Sequence, residues 1–368
     1  MPTPLPLAGL KLLDLTRVLA GPLCTMTLGD LGASVLKVER PGMGDETRGW
    51  GPPFDAEGES AYFLAVNRNK LSLALDLDLP VDRALLLELA KDADVVVENF
   101  RPGTLERRGI EPARLLAASD RLIWCRLTGF GGRSGRPGYD VVVQAESGWM
   151  AITGEPGGPP MKVGVALADV GAGKDAAIAI LACVAARGRL APADRMLTIS
   201  LAHSATAALV NVAQNALVTG REPARWGNAH PNLVPYQLFD AKDRSFILAV
   251  GSDAQWLACC RAIERPDLAA DPGYLRNAGR VEHRTRLVEE LSATFRRHTA
   301  ADWLRRLERE AVPAGVVRGV SEALADVPAD AKTGIAPLRP GSVRLPPPRL
   351  DQHGPLVREL KWGAFDAL

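Results

Sequence analysis

The sequence predicts an α/β fold, with a large domain built on a parallel, doubly wound sheet and a smaller α+β domain after it. Three observations carry this. Short apolar runs alternate with helix-forming stretches over the first 200 residues, the arrangement that yields parallel strands joined by crossover helices. Beyond residue 226 the pattern changes to two adjacent apolar runs followed by three helical stretches. The 368 residues leave room for about two domains of roughly 150 residues each.

The first forty residues set the theme. Leu10–Leu15 is a short strand, Ala20-Gly21-Pro22 a turn, Leu23–Leu31 a helix and Ser34–Val38 a second strand. Further strands are expected at Leu71–Leu75, Val95–Val97 and Leu122–Leu127, with a helix over Val81–Lys91. Met161–Leu167 and Met196–Leu201 read as two more, bracketing the apolar helix 176–186. The large domain therefore spans 1–200, and Leu201–Val218 forms an Ala-rich helix in a linker, 201–225. The small domain, 226–325, holds a hairpin (Tyr236–Phe239, Phe246–Val250) and helices at 254–263, 281–298 and 300–311. Thr299 and Asp302 have capping-box spacing at the start of the last helix. Residues 326–368 are Pro-rich and run extended; their apolar side chains need a surface elsewhere, and the large domain is the expected one.

Composition excludes several classes. With 44 basic and 43 acidic residues and no basic block, no nucleic-acid or membrane partner is expected. The longest apolar run, Ala176–Ala186, falls short of the about 20 residues that span a bilayer. No basic stretch precedes an apolar segment at the start of the chain, so no secretion leader is read. Cys24, Cys125, Cys183, Cys259 and Cys260 lack metal or disulfide spacing and fit a reduced, cytoplasmic protein. The five histidines (His203, His230, His283, His298, His353) never approach ligand spacing, so no metal is expected.

Among the motifs, the opening turn lacks the glycines of a dinucleotide site, although Glu39-Arg40 ends the second strand. Gly171-Ala172-Gly173-Lys174 imitates a P-loop, but Asp175 stands where a hydroxyl must hold magnesium, and a glycine turn is the better reading. Asp169 follows Val163, Val165 and Leu167 and precedes an apolar helix. It is either that helix's N-cap or a nucleophile at the carboxyl end of a parallel strand, with helix N–H groups stabilising an oxyanion. Arg40, Arg48, Arg68, Lys70, Arg101 and Arg107 fall on loops of one sheet, enough cations for a multi-phosphate ligand.

In order along the chain, LLDLTRVLAGP (12–22), LGASVLKVERPGMGDETRGWGPP (31–53), NRNKLSLALDL (67–77), ADVVVENFRPGTLERRG (93–109), GYDVVVQAESG (138–148), MKVGVALADVGAG (161–173) and GNAHPNLVPYQ (227–237) resemble the class III coenzyme A transferases. That family, CaiB/BaiF, includes formyl-CoA transferase and α-methylacyl-CoA racemase. The resemblance implies a Rossmann-like large domain and two subunits interlocked as a homodimer, the tail returning to the large domain. It implies reversible transfer of coenzyme A between an acyl-CoA and a carboxylic acid, with no tightly bound cofactor and a dicarboxylate such as succinate as one candidate acid. By likeness Asp169 is the nucleophile, ionised near its usual pKa of about 3.9, passing through an aspartyl mixed anhydride and an aspartyl-CoA thioester. Tyr139 and Asp140 match a Tyr-Glu pair beside it, with Asp for Glu. Val18, Leu19, Arg40, Lys70, Asn99, Phe100 and Arg107 match coenzyme A-lining positions. Arg17 is a candidate reader of a second carboxylate, and Gly251 begins a candidate lid.

Two departures bear on substrate. Leu19 replaces a glutamine and Gly251–Gln255 replaces a glycine run of formyl-CoA transferases, which argues against an oxalate acceptor. Racemases carry His-Asp where this chain has Tyr139-Asp140, and a phenol near pKa 10 is a poor base at neutrality. A 2-methylacyl-CoA racemase and a non-catalytic CoA-binding protein are the rival readings.

Overall fold

Strands β1 (Lys11–Leu15), β2 (Ser34–Glu39), β3 (Lys70–Ala74), β4 (Val95–Glu98), β5 (Ile123–Thr128) and β6 (Met196–Ser200) pair in parallel in the order β3-β2-β1-β4-β5-β6. The order reverses between β1 and β4, and in such sheets ligands bind outside the carboxyl ends of the strands at that reversal. The strands are apolar throughout because both faces are covered. Leu12, Val35, Val95 and Ile123 face α1 (Ala20–Asp30), while Leu13, Leu36, Val96 and Trp124 face the opposite layer with Leu86 and Leu89 of α2 (Pro80–Asp92). Each such side chain, fully buried, contributes about 1.5–3 kcal/mol.

The computed structural model describes residues 4–368. They divide into two units: residues up to Met150, Lys162–Glu222 and Val327–Leu368 in the first, Ala151–Met161 and Pro223–Asp326 in the second. Residues 151–161, expected within the large domain, thus group with the second unit. Among the described residues no helix is long and apolar enough to cross a membrane.

The extended tail completes an edge of the sheet. Leu345 O, His353 Nδ1 and Asp351 Oδ1 accept from the backbone N–H groups of Asn69, Ser72 and Ala74 (2.9, 3.2 and 2.7 Å). The outward Ser72 and Ala74 donors of edge strand β3 are thereby taken. Trp362 buries its ring and donates to Leu89 O (3.1 Å).

Two expectations are corrected here. No strand forms over 161–167, because the place beside β5 is taken by β6 and the Val163 N–H is taken by the Gln144 side chain (2.9 Å). The expected helix 201–218 is two, α5 (Leu201–Ala207) and α6 (Asn211–Thr219), broken at Val210, whose φ of 43° no helix accommodates. The helices between the sheet and these are α3 (Asp140–Glu146) and α4 (Leu167–Ala185).

In the second unit β7 (Tyr236–Asp240), β8 (Ser245–Ala249) and β9 (Ala314–Val316) form an antiparallel sheet. Helices α7 (Asp253–Ala262), α8 (Arg284–Phe295) and α9 (Ala300–Arg309) pack on it around Phe246, Trp256, Phe295 and Trp303. The Thr299 hydroxyl caps α9, accepting from Asp302 N–H (3.3 Å), but the Asp302 carboxylate pairs with Arg305 and Arg306 instead of closing the box. All five cysteines are buried and unpaired.

Candidate active site

The turn after β1 brings Thr16–Leu19 to the carboxyl end of the sheet, beside the loop after β4. Asn99 clasps that turn from both sides: its Oδ1 accepts from Arg17 N–H (3.1 Å) and its Nδ2 donates to Arg17 O (2.8 Å). Val18 adopts φ 71°, a left-handed conformation costing a β-branched residue about 1–3 kcal/mol. Helix α1 starts at once, with no side chain capping it at Leu19. Helix α4 crosses it at Gly173, where a Cβ would lie 2.6 Å from Ala20 O. Only glycine permits that approach, and it draws the first turn of α4, with Asp169, up to the turn 16–19.

Asp169 is nine-tenths buried and makes no side-chain hydrogen bond or ion pair among the described residues. Its expected place at a strand end is replaced by the first turn of α4, and its alternative role as N-cap belongs to Asp140. Asp140 Oδ1 accepts from Ala168 N–H (2.8 Å) and Asp169 N–H (3.3 Å), while its Oδ2 takes Gln144 Nε2 (2.6 Å). Val165 O and Ala166 O take the Leu167 and Val170 N–H groups, so the first turn of α4 has no donor left for an oxyanion, contrary to expectation. The uncapped start of α1 is the nearest alternative.

Burial, reinforced by the charge of Asp140, pushes the Asp169 carboxyl up to about 7. The expectation of an ordinary, fully ionised aspartate is therefore corrected: near neutrality this group is half protonated, and its anion is desolvated and unpaired. Such an anion is a strong nucleophile toward an acyl carbon.

Asp169 opens onto a cavity of about 500 Å³ lined by residues of the first unit, including Arg17, Val18, Leu19, Asn99, Phe100 and Tyr139. A second cavity of about 310 Å³ shares Arg17, Glu46 and Phe100 with the first. Its walls are Arg40 and the apolar side chains of Met43, Leu75, Leu77 and Leu105. The two meet where Arg17 pairs with Glu46 and lies 5.9 Å from the Phe100 ring.

Several expected cations are not available to a ligand. Lys70 is fully buried and uses its three donors on Asp14 Oδ2 (3.0 Å), Pro22 O (3.0 Å) and Asn67 Oδ1 (2.9 Å). It points into the core because it begins β3, so it supports the turn rather than touching coenzyme A. Arg48 is held by Glu39 and Glu59 (2.7 and 2.8 Å), and Arg68 by Asp30 (2.7 Å). Arg40, Arg101 and Arg107 stay exposed, and among the described residues none of them enters a salt bridge. Arg107 lines neither cavity and donates only to Thr104 Oγ1 (3.3 Å). Gly251 belongs to the second unit, where its N–H donates to Gln255 Oε1 (2.8 Å) and Ser252 caps α7. Tyr139 is 58% exposed at the rim.

The sequence reasoning missed Tyr62. Burial, with the charges of Asp169, Asp140 and Asp45, raises its phenol to about 12, and its ring meets Trp50 edge-on at 5.2 Å. It also missed Leu75 and Leu77, although positions just beyond a parallel strand are where a ligand wall is expected.

Residues 7–354 match CoA-transferase family III. The chain belongs to that family. It is 42% identical over 324 residues to succinyl-CoA:glutarate CoA-transferase of Mus musculus, covering 87% of this chain and 74% of that one. It is 41% identical to succinate–glutarate CoA-transferase of Agrobacterium fabrum, covering 87% and 82%. A CaiB/BaiF family protein from Brucella suis, 37% identical, superposes with a TM-score of 0.85 over 97% of this chain and 99% of that one. This family III member is thus a CoA-transferase, acting on acyl-CoA thioesters and carboxylic acids.

Proposed function

We propose that this CoA-transferase exchanges coenzyme A between succinate and a second dicarboxylic acid of glutarate size, with Asp169 as the covalent carrier. The observation that carries this is the buried Asp169 carboxyl, which no cation among the described residues neutralises and which opens onto the larger cavity. A structural carboxylate of that burial would be paired. The two similar transferases named for glutarate support the acid class.

An Asp169 oxygen attacks the thioester carbonyl, the carbon–sulfur bond breaks, and coenzyme A leaves as thiolate, giving a mixed anhydride. The thiolate attacks the aspartyl carbonyl and expels the donor acid as carboxylate, leaving an aspartyl-CoA thioester. The acceptor carboxylate attacks that thioester and the thiolate then attacks the acceptor's acyl carbon, regenerating Asp169. Each step exchanges one activated acyl for another, so water must stay out. Asp140 orients the nucleophile, Tyr139 borders the acyl group, and the unpaired N–H end of α1 beside Val18 and Leu19 faces the developing oxyanion. Asn99 and Phe100 flank the pantetheine arm. Arg40 takes phosphate, and the apolar slot at Leu75, Leu77 and Met43 takes the adenine. Arg17 is positioned to read the acid's distal carboxylate once it leaves Glu46.

The working form in this reading is an interlocked homodimer in the cytoplasm. Helix α6 supports it: it buries no residue and exposes Leu217 and Val218, a face suited to a second copy. The free cysteines fit a reducing compartment.

Intact-mass analysis after mixing with succinyl-CoA, with hydroxylamine as trap, tests the carrier. A hydroxamate at Asp169 is expected, absent in Asp169→Ala. Transfer that persists in Asp169→Ala overturns the proposal.

A further inference from the structure

We infer that the buried Lys37–Asp45 pair is a positioning device for the acyl-CoA site, holding Val18 in its left-handed conformation in the wall of the larger cavity, next to Arg17 where the two cavities meet. The inference rests on the reading that these cavities receive acyl-CoA.

Lys37, in mid β2, lies beside Asp14 of β1 in the sheet register, and its side chain is fully buried. Its Nζ donates to Asp45 Oδ2 (3.0 Å) and to Thr16 O (2.9 Å). The other oxygen, Asp45 Oδ1, accepts from Val18 N–H (3.2 Å), Thr47 N–H (3.1 Å) and the Thr47 hydroxyl (2.8 Å). Residues 16 and 18, one on each side of Arg17, therefore hang from a single buried ion pair. Lys37 reaches neither cavity, whereas Val18 lines the larger and Asp45 the smaller.

A strained φ persists only where its surroundings over-determine it, and here the pair and the Asn99 clasp do so. A buried ion pair is no better for stability than an apolar pair of the same volume, so stability alone does not call for it. Its effect on Val18 is specific: with Asp45 in place, the N–H of residue 18 is turned inward and the side chain toward the ligand passage. Asp45 is the right residue for this because it needs two acceptor oxygens. An asparagine has one, so either Lys37 or the Val18 and Thr47 donors would lose their partner.

The test is a double-mutant cycle of Asp45→Asn and Val18→Gly, read as KM for succinyl-CoA and as kcat. Asp45→Asn is expected to raise KM about tenfold with little change in kcat. In the Val18→Gly background the same substitution is expected to raise KM no more than about threefold, because glycine reaches positive φ without strain. A merely structural Asp45 gives the same factor in both backgrounds, and that result, or an unchanged KM, overturns the inference. Should Asp45→Asn not fold, the Lys37→Met/Asp45→Leu variant, which leaves no uncompensated charge and no acceptor for the Val18 N–H, is put through the same cycle with the same expectations. Wild-type protein that forms no Asp169 adduct refutes the functional reading instead, so the two failures are separable.

Discussion

Replacing Asp169 by Asn should stabilise the protein, and increasingly so as the pH rises. The Asp169 carboxyl titrates at about 7 in the folded state, against an ordinary aspartate value of 3.8 in the unfolded chain. Between those values the native protein holds a proton that the unfolded chain has lost. Stability from this group is therefore complete below about pH 3.8, falls by about 1.4 kcal/mol per pH unit, and levels off above pH 7. The whole loss is about 4 kcal/mol, of which about 3 kcal/mol falls between pH 5 and pH 8. An amide at this position has no such term. Urea unfolding of wild type and Asp169→Asn at pH 5, 6, 7 and 8 measures it, and the gap between the two should widen by about 3 kcal/mol across the series. Curves that stay parallel would refute the claim that Asp169 is a desolvated, unpaired acid. If Asp169 is the carrier, as proposed, single-turnover acylation by succinyl-CoA should rise with pH through an apparent pKa of about 7.

Four further outcomes follow from the same geometry. Asp140→Asn removes the charge that helps raise Asp169, so the apparent pKa of acylation should fall below that of wild type, with a loss of about 1 kcal/mol for the weakened helix cap; stopped-flow pH profiles and thermal melts read both. Gly173→Ala places a methyl 2.6 Å from Ala20 O, and the forced separation of α1 and α4 should cost about 1–3 kcal/mol and lower kcat more than it raises KM, as steady-state kinetics would show. Lys70→Met strands Asp14 without its cation and should cost about 3–5 kcal/mol in urea unfolding. The salt dependence of KM for acyl-CoA should be unchanged by Lys70→Met but weakened by Arg40→Ala, since of these two only Arg40 lines a cavity.

Local patterning explains why much of the sheet was legible. β1, β2, β4 and β5 are short apolar runs separated by turn residues, and both their faces are buried. The alternation Val163, Val165, Leu167 follows the same rule and misleads, because Gln144, far off in sequence, intercepts the backbone that a strand would have used. Asp169 could be singled out by its position between an apolar run and a helix. Its pKa could not, since that depends on burial and on a neighbour 29 residues away. Lys70 and Arg68 read as phosphate cations because composition places charge near loops without saying which way it points. Both turn inward to buried carboxylates.

That inward pairing separates Asp169 from the other buried acids of the sheet. Asp14 has Lys70 and hydroxyls, Asp45 has Lys37, Glu39 has Arg48, and in each case the partners outweigh burial and hold the carboxyl below its ordinary range. Glu98 is raised by burial, yet Arg126 and the Phe100 N–H still bind it. Asp169 has a raised pKa and, among the described residues, no such partner, and the charge acting on it is that of another carboxylate, Asp140. Arg17, which lines the same cavity, is committed to Glu46, and the buried Lys70 to Asp14. A cation beside Asp169 would stabilise the anion and make it a weaker nucleophile. Keeping the buried positive charge on structural acids therefore leaves those acids compensated and the proposed carrier carboxylate underpaired at the cavity.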